Sequence, residues 1–215
     1  GAVLSVVPVV ATELGLFDRI HVTNPSDEAA EVDLEIVTDG SATLDPIELT
    51  IRAGRTVVVD AAAESRLAAL SDFSVVARSL TGQPVAVAVE RRVELGGDLV
   101  TGTAAMGALD AAASEWIVAS DGNVAEVVVV NPLADASASV ELWRVGAEGE
   151  ILLSSIDLAP GRRQALVAPD LDARDILRVR ATSPVVVGRS SAGFTSRQML
   201  GGVIADGAVL LGQLG

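Results

Sequence analysis

Two long stretches of this chain repeat each other, and this duplication limits the possible folds more than any other feature. The pair Asn24-Pro25 recurs as Asn131-Pro132, at an offset of 131 − 24 = 107 residues. The segment VDLEIV at 32–37 then matches VELWRV at 140–145. The offset varies slightly along the chain, as it does when loops differ in length and strands do not. The sequence therefore predicts two copies of one structural unit.

The repeat places the expected domain boundary near the middle of the chain. We expect the first domain over residues 1–113 and the second over 114–215. No linker rich in Pro, Gly or Ser separates the copies, so we expect domains that touch each other. The chain begins with Gly rather than Met, which suggests a piece of a longer protein.

Alternating apolar and polar residues within each copy indicate β-strands. In 32–37 the apolar residues Val32, Leu34 and Ile36 fall on one face, and the acidic residues between them fall on the other. This period of two is typical of strands with one buried face. Turn signals separate about seven such segments in each copy. We therefore predict an all-β fold made of two tandem immunoglobulin- or fibronectin-like β-sandwich domains.

One segment departs from the strand pattern. Residues 61–72 are rich in Ala and longer than their counterpart at 168–175. Alanine has the highest helix propensity. We therefore expect a short helical insertion in the first copy at 61–70, with 108–115 as a further helical candidate.

Composition excludes several classes of function. The charge is 15 − 29 = −14, all 15 basic residues are Arg, and no basic stripe is present, which argues against nucleic acid as a partner. The chain has no Cys and one His, so thiol nucleophiles, Cys-ligated metals and most multi-His sites are excluded. No apolar run reaches the roughly 18 residues that span a bilayer, so we expect no transmembrane segment.

Trp143 is the most prominent candidate for binding a partner, in a chain with only five aromatic residues. It is in phase with Glu141 and out of phase with the apolar residues of its segment, so its side chain is predicted to point away from the core. An outward Trp can pack on a neighbouring domain, on a partner protein or on a sugar ring. We include Arg144 and the pair Arg162 and Arg163 as further partner-binding candidates; the Arg pair is expected to be a charge at a strand edge.

The remaining candidates have structural explanations. Asn24, Pro25, Asn131 and Pro132 are expected to end strands and form turns, because Asn bonds its own following backbone and Pro cannot continue a ladder. Asp170, Asp172 and Asp175 are weak candidates for a Ca²⁺ site, but their spacing fits no EF-hand loop. No catalytic constellation is found, and His21 is expected to face solvent on a strand. We therefore predict that the protein is not an enzyme and that it holds no cofactor and no resident metal.

Three motifs of the second copy carry a family resemblance: EWIVASDGNVAEVVVVNP, then LAPGRRQALVAPDL, then LRVRATSPVVVGRSSAG. They resemble an uncharacterised family of exported or envelope proteins from actinobacteria with tandem immunoglobulin-like domains. The resemblance covers most of 114–193 and, more weakly, 19–93. It implies an extracytoplasmic location, in the cell envelope or secreted, and a non-enzymatic role.

Three functional hypotheses remain open. The first is a scaffold or protein–protein interaction module whose partner is another envelope protein. The second is a module that binds or adheres to cell-wall polysaccharide. The third is an accessory domain of a larger envelope enzyme.

Overall fold

The computed structural model describes most of the chain and contains β-strands without any α-helix in the described residues. The described residues are 4–11, 16–39, 44–67, 70, 72–95, 98–106, 108–109, 112–119, 124–168, 171, 175–192, 197–201 and 203–204. The all-β prediction is confirmed. The strands are β1 Leu4–Ala11, β2 Leu16–Asn24, β3 Ala30–Val37, β4 Ile47–Ile51, β5 Arg55–Asp60, β6 Asp72–Ser79, β7 Ala86–Leu95, β8 Asp98–Met106, β9 Ala108–Leu109, β10 Ala113–Ala119, β11 Val124–Val130, β12 Ala138–Gly146, β13 Gly149–Leu158, β14 Arg163–Val167, β15 Ile176–Ala192, β16 Arg197–Gly201 and β17 Val203–Ile204.

The first half of the chain, β1–β9, forms two antiparallel sheets. The five-stranded sheet has the order β4-β3-β6-β1-β9, and the four-stranded sheet has the order β5-β2-β7-β8. Strand β6 ends at Ser79 and β7 begins at Ala86, so the short connection around Pro84 carries the chain from one sheet to the other. Proline suits this connection because it lacks the N–H that a ladder requires.

The second half, β10–β17, repeats this arrangement around one long strand, β15. The first part of β15 pairs with β10 and β12, and its last part pairs with β11 and β16. We call β13-β12-β15-β10-β17 the long arm and β14-β11-β15-β16 the short arm. In chain order, the long arm matches the five-stranded sheet strand for strand, and the short arm matches the four-stranded sheet. The duplication seen in the sequence is therefore also a duplication of strand order.

The apolar positions predicted from alternation form two hydrophobic cores. One core joins the two sheets of the first half and includes Ile20, Val22 and Leu34. The other joins the two arms of the second half and includes Leu142 and Val179. These residues are fully buried, and each apolar side chain contributes about 1.5–3 kcal/mol when it leaves water.

The second core also extends into the first half of the chain, which creates a junction between the halves. Val7 belongs to the first core, but its neighbour Val6 belongs to the second, so the five-stranded sheet is buried on both faces. Val75 and Val76 divide between the two cores in the same way. Strand β1 lies against β11 and β15, the central strands of the short arm. The short arm accordingly has consecutive buried valines at 127–130, as expected for a strand covered on both sides.

Two polar contacts flank this junction. Arg163 of β14 is paired with Asp39 of the first half, with Nε and Oδ1 3.5 Å apart. Arg78 of β6 donates from Nη2 to the carbonyl oxygen of Pro132 at 3.4 Å, and from Nε to Glu35 at 2.9 Å. Each arginine contacts an oxygen of the opposite half, so the two contacts orient an otherwise apolar junction.

The predicted helical insertion is wrong. Residues 61–67 form successive turns: Glu64 N–H donates to the carbonyl of Asp60 at 3.1 Å, and Leu67 N–H donates to that of Glu64 at 2.9 Å. The segment is too short to repay the cost of nucleating a helix, despite its Ala content. The candidate at 108–115 is also not helical, because β9 pairs with β1 and β10 begins at Ala113. Pairing with a neighbouring strand overrides the propensity of Ala.

Candidate partner-binding face

The outer face of the long arm carries charged and aromatic side chains whose direction follows from strand alternation. In β12 the residues Val140 and Leu142 are fully buried, so Trp143 lies on the opposite face. The ladders place Trp143 beside Arg178 of β15 and beside Leu152 of β13. Glu115 of β10 lies opposite Arg180. Residues from four strands thus come together on one surface.

Ion pairs connect these residues into a network. Arg178 contacts Glu115 closely and donates from Nη1 to Glu150 Oε1 at 2.6 Å. Arg180 lies 3.1 Å from Glu150 and 3.8 Å from Glu115. Each arginine therefore bridges the same two carboxylates across the sheet. A network of this kind fixes side-chain positions better than isolated surface pairs, which contribute little.

The charges shift one another's ionisation in the direction that favours the ion pairs. The hydrogen bond from Arg178 lowers the pKa of the Glu150 carboxyl, since the donor stabilises the carboxylate. The same bond, followed by the one to Glu115, raises the pKa of the Arg178 guanidinium. Both shifts favour the charged forms of Glu150 and Arg178.

Trp143 is held between an acid and a guanidinium. Its indole Nε1 donates to Glu141 Oε2 at 3.0 Å. The guanidinium carbon of Arg180 lies 5.4 Å from the centre of the indole ring, within the range of a cation–π interaction. We call this surface the ion-pair face; it consists of Glu115, Glu141, Trp143, Glu150, Arg178 and Arg180.

Exposed apolar side chains adjoin the ion-pair face. Leu152 is 46% exposed beside Trp143, and Ile176 is 41% exposed beside Val145. Trp and Arg are enriched at protein–protein interfaces and among the residues that carry most of the binding energy, and the ion-pair face presents both beside exposed apolar side chains. Every ionisable group of the face has an opposite charge or a ring beside it, and none is positioned as a nucleophile with its base.

The structure does not bring the four predicted partner-binding residues together. Arg144 lies on the opposite face of β12 from its neighbour Trp143. Arg162 and Arg163 lie at the start of β14, on the short arm. Arg163 is predicted to be a charge at a strand edge; it lies on β14, which pairs only with β11 among the described strands, but its side chain is buried at the junction, where Asp39 of the other half supplies the opposite charge.

The two Asn-Pro pairs occupy equivalent turns. Asn131 Nδ2 donates to the carbonyls of Ala136 and Leu158 at 2.8 and 3.2 Å, and its Oδ1 accepts from Leu133 N–H at 3.1 Å. Asn24 makes the corresponding bonds one repeat earlier, donating to Glu28 and Ile51 and accepting from Ser26. Both Asn side chains are fully buried. The prolines that follow them, Pro25 and Pro132, each end a ladder.

Of the three aspartates proposed for a metal, Asp170 and Asp172 lie outside the described residues. Asp175 immediately precedes β15. Among the residues that the structure describes, no cluster of three acidic or imidazole side chains is suited to hold a metal ion.

Sequence reasoning missed five members of the ion-pair face as binding candidates: Glu115, Glu141, Glu150, Arg178 and Arg180. A signal was present for the arginines, since they alternate with the apolar residues Leu177 and Val179 in LRVRA. The partners of the arginines were not visible, because Glu115 is 63 residues away and Glu150 is 28 residues away from Arg178.

Comparison with known proteins gives one match. A model of a family of unknown function (DUF5719) matches residues 4–188. No curated protein and no solved structure matches the chain. The part of the chain that the structure describes contains no helix capable of crossing a bilayer.

Proposed function

Since the chain belongs to the family of unknown function DUF5719, we propose from its own geometry that it is a non-catalytic protein-interaction module. Its ion-pair face binds a partner protein. One observation carries this proposal: the equivalent sheet face in the first half is already covered by protein, because Val6 and Val76 pack against the short arm. The outer face of the five-stranded sheet is therefore covered by the short arm, whereas the equivalent face of the long arm, the ion-pair face, is exposed.

The chemistry of the face favours a reversible partner. Burying two arginines and three glutamates requires the partner to match each charge or leave the internal pairs intact. The exposed Leu152 and the half-buried Trp143 supply apolar anchors between the charges. Such mixed surfaces are typical of non-obligate complexes, whereas permanent interfaces are more apolar.

The finer points of the proposal rest on different support. The identical strand order of the two halves supports a duplicated β unit, with two antiparallel sheets in the first half and two arms joined by β15 in the second. That the unit is immunoglobulin-like is proposed from the alternation and turn spacing of the sequence. A location in the actinobacterial cell envelope, outside the cytoplasm, rests on the motifs around Asn131 alone. A scaffolding role within the envelope is proposed from the repeat and from the family resemblance.

A cell-wall glycan is the second candidate ligand, because sugars stack on exposed indole rings. The position of Arg180 over Trp143 argues against it, since a sugar would have to displace the guanidinium. A glycan array separates the two ligands. Binding of a wall polysaccharide that disappears in Trp143→Ala, without loss of folding, would favour the glycan.

Site-specific photo-crosslinking in the producing cell tests the protein partner. A photoreactive amino acid at Leu152 lies on the ion-pair face; the matched control at Val58 is equally exposed but lies on the four-stranded sheet. We expect one protein to be crosslinked from position 152 and not from 58, and Arg178→Glu to reduce that crosslink at least fivefold. Equal crosslinking from both positions, or none from 152, would refute the proposal.

A further inference from the structure

The two copies differ at several positions of their outer faces. Arg78 and Arg180 correspond to each other and Glu35 corresponds to Trp143, whereas other positions are apolar at the junction and charged on the ion-pair face. In the five-stranded sheet, Val76 pairs with Val6, and both are buried at the junction. Strands β15 and β10 of the long arm correspond to β6 and β1. At the equivalent pair, Arg178 stands in the place of Val76 and Ile117 in the place of Val6. Two residue pairs further along the same face, Leu4 lies opposite Arg78, and the equivalent residue Glu115 lies opposite Arg180. Two apolar residues at the junction are thus charged residues on the ion-pair face.

The other end of the molecule shows the same exchange. The 107-residue offset aligns Ile20 and Val22, which are core residues of the first half, with Val127 and Val129. It aligns His21 and Thr23, on the outer face of the four-stranded sheet, with the buried Val128 and Val130. His21 Nε2 lies 3.2 Å from Glu90, and the hydroxyl of Thr23 lies 2.9 Å from that of Thr56. Apolar side chains again occupy the junction, and hydrogen-bonding side chains occupy the exposed face.

We infer that the junction is a directional interface and that the polar residues at its two unused equivalents are caps. Glu115 and Arg178 cap one end, and His21 and Thr23 cap the other. Without these caps, the ion-pair face of one chain would dock on the four-stranded sheet of a second copy, as the five-stranded sheet docks on the short arm. The inference rests on the junction and is independent of the partner proposed above.

The physical basis is the cost of desolvation. A five-stranded face meets a four-stranded face at the junction, so the contact is heterologous and stacking would not close on itself. Burying Arg178 and Glu115 removes water from an ion pair, a cost that their attraction repays only with good geometry. Burying His21 and Thr23 against an apolar surface strips hydrogen-bonding groups of water. Polar terminal surfaces end stacked repeats for the same reason.

Restoring the junction residues tests the caps in the full chain. The first variant, Glu115→Leu with Arg178→Val, recreates the Leu4 and Val76 pattern and leaves Arg180 paired with Glu150. The second, His21→Val with Thr23→Val, recreates the pattern of Val128 and Val130. Sedimentation velocity is measured from roughly 10 µM to 1 mM. The junction forms within one chain, where the effective concentration of its two surfaces is of the order of mM, so the same contact between separate chains is sought at concentrations approaching that value. We expect an equimolar mixture to form a dimer, with the wild type monomeric throughout.

A directional interface joins two different faces, so the two variants should associate with each other more tightly than with themselves. Nonspecific hydrophobic association would not show this preference. The mixed dimer should have a Kd at least roughly tenfold lower than self-association of either variant, equal to about 1.4 kcal/mol. A chain that carries all four substitutions should form longer oligomers as its concentration rises. If a double variant does not fold, as judged by circular dichroism, Arg178→Leu alone is mixed with Thr23→Val alone. A monomeric mixture of folded variants, or self-association as strong as mixed association, would overturn the inference.

Discussion

Asn131→Ala removes a buried amide that ties three segments together. Its Nδ2 bonds the carbonyl of Leu158, and this bond is buried throughout, so its loss costs about 1–3 kcal/mol. Since Nδ2 has two hydrogens, its contacts with Leu158 and Ala159, both at 3.2 Å, share one of them. The other two bonds, to Ala136 and from Leu133 N–H, lie at partly buried atoms that water can reach. Their loss costs about 0.5–1 kcal/mol each. We expect the free energy of unfolding to fall by about 3 kcal/mol.

Urea denaturation followed by circular dichroism measures this change directly, and the melting temperature should fall by about 6–12 °C. The repeat supplies a matched variant, since Asn24→Ala removes the equivalent bonds and should cost the same within about 1 kcal/mol. Gln164→Ala, at an exposed position of β14, is the control and should change stability by less than about 0.5 kcal/mol. A loss below about 1 kcal/mol for Asn131→Ala would refute the argument that this amide anchors the turn.

Three further predictions follow from other parts of the structure. Gly161→Ala should cost about 1–2 kcal/mol in urea denaturation, because Gly161 has φ = 63° and the added Cβ meets no other atom, so backbone strain alone accounts for the loss; an unchanged midpoint would contradict this. Since the pKa of Glu150 is lowered in the folded protein, its ion pair stabilises the fold above the unfolded pKa and is lost as pH falls through the folded one; NMR titration should give a midpoint below the ordinary Glu value, and Arg178→Met should raise it. Val130→Thr should cost about 1–3 kcal/mol by burying a hydroxyl at the junction, whereas Thr23→Val at the equivalent, partly exposed position should stay within about 0.5 kcal/mol by thermal denaturation; equal effects would contradict a difference in burial between the two positions.

Features that depend on nearby residues could be predicted from the sequence. Alternation placed Val140 and Leu142 on the buried face of β12, because side-chain direction in a strand has a fixed period of two. The same period gives the outward direction of Trp143. The helical insertion at 61–70 could not be judged in this way. Its Ala content reports intrinsic propensity, which tertiary context readily overrides.

Features that depend on partners far along the chain could not be predicted. Arg163 follows another arginine and reads as a surface charge, yet Asp39, 124 residues earlier, lies beside it in the fold. The ion-pair face has the same origin. Arg178 and Arg180 are visibly outward in LRVRA, but the carboxylates that they meet are set by the pairing of β10 and β12 with β15 and of β13 with β12.

Comparing the two copies separates two reasons for an apolar strand residue: burial in the core of its own unit and burial against a neighbouring sheet. A single copy would not distinguish them. Ile20 and Val127 are both buried in the core of their own half, so the fold of the unit itself requires an apolar residue at this position. Their neighbours His21 and Val128 hold the same place in the same strand order, yet one is partly exposed and polar and the other is buried and apolar. Since the unit forms with either residue, its own folding does not decide the choice. The neighbour across the outer face decides it, because a valine is stabilised only where another sheet excludes water. The residues at these outer-face positions therefore depend on whether another sheet of the chain covers the face. Among the described residues, no second sheet covers the ion-pair face.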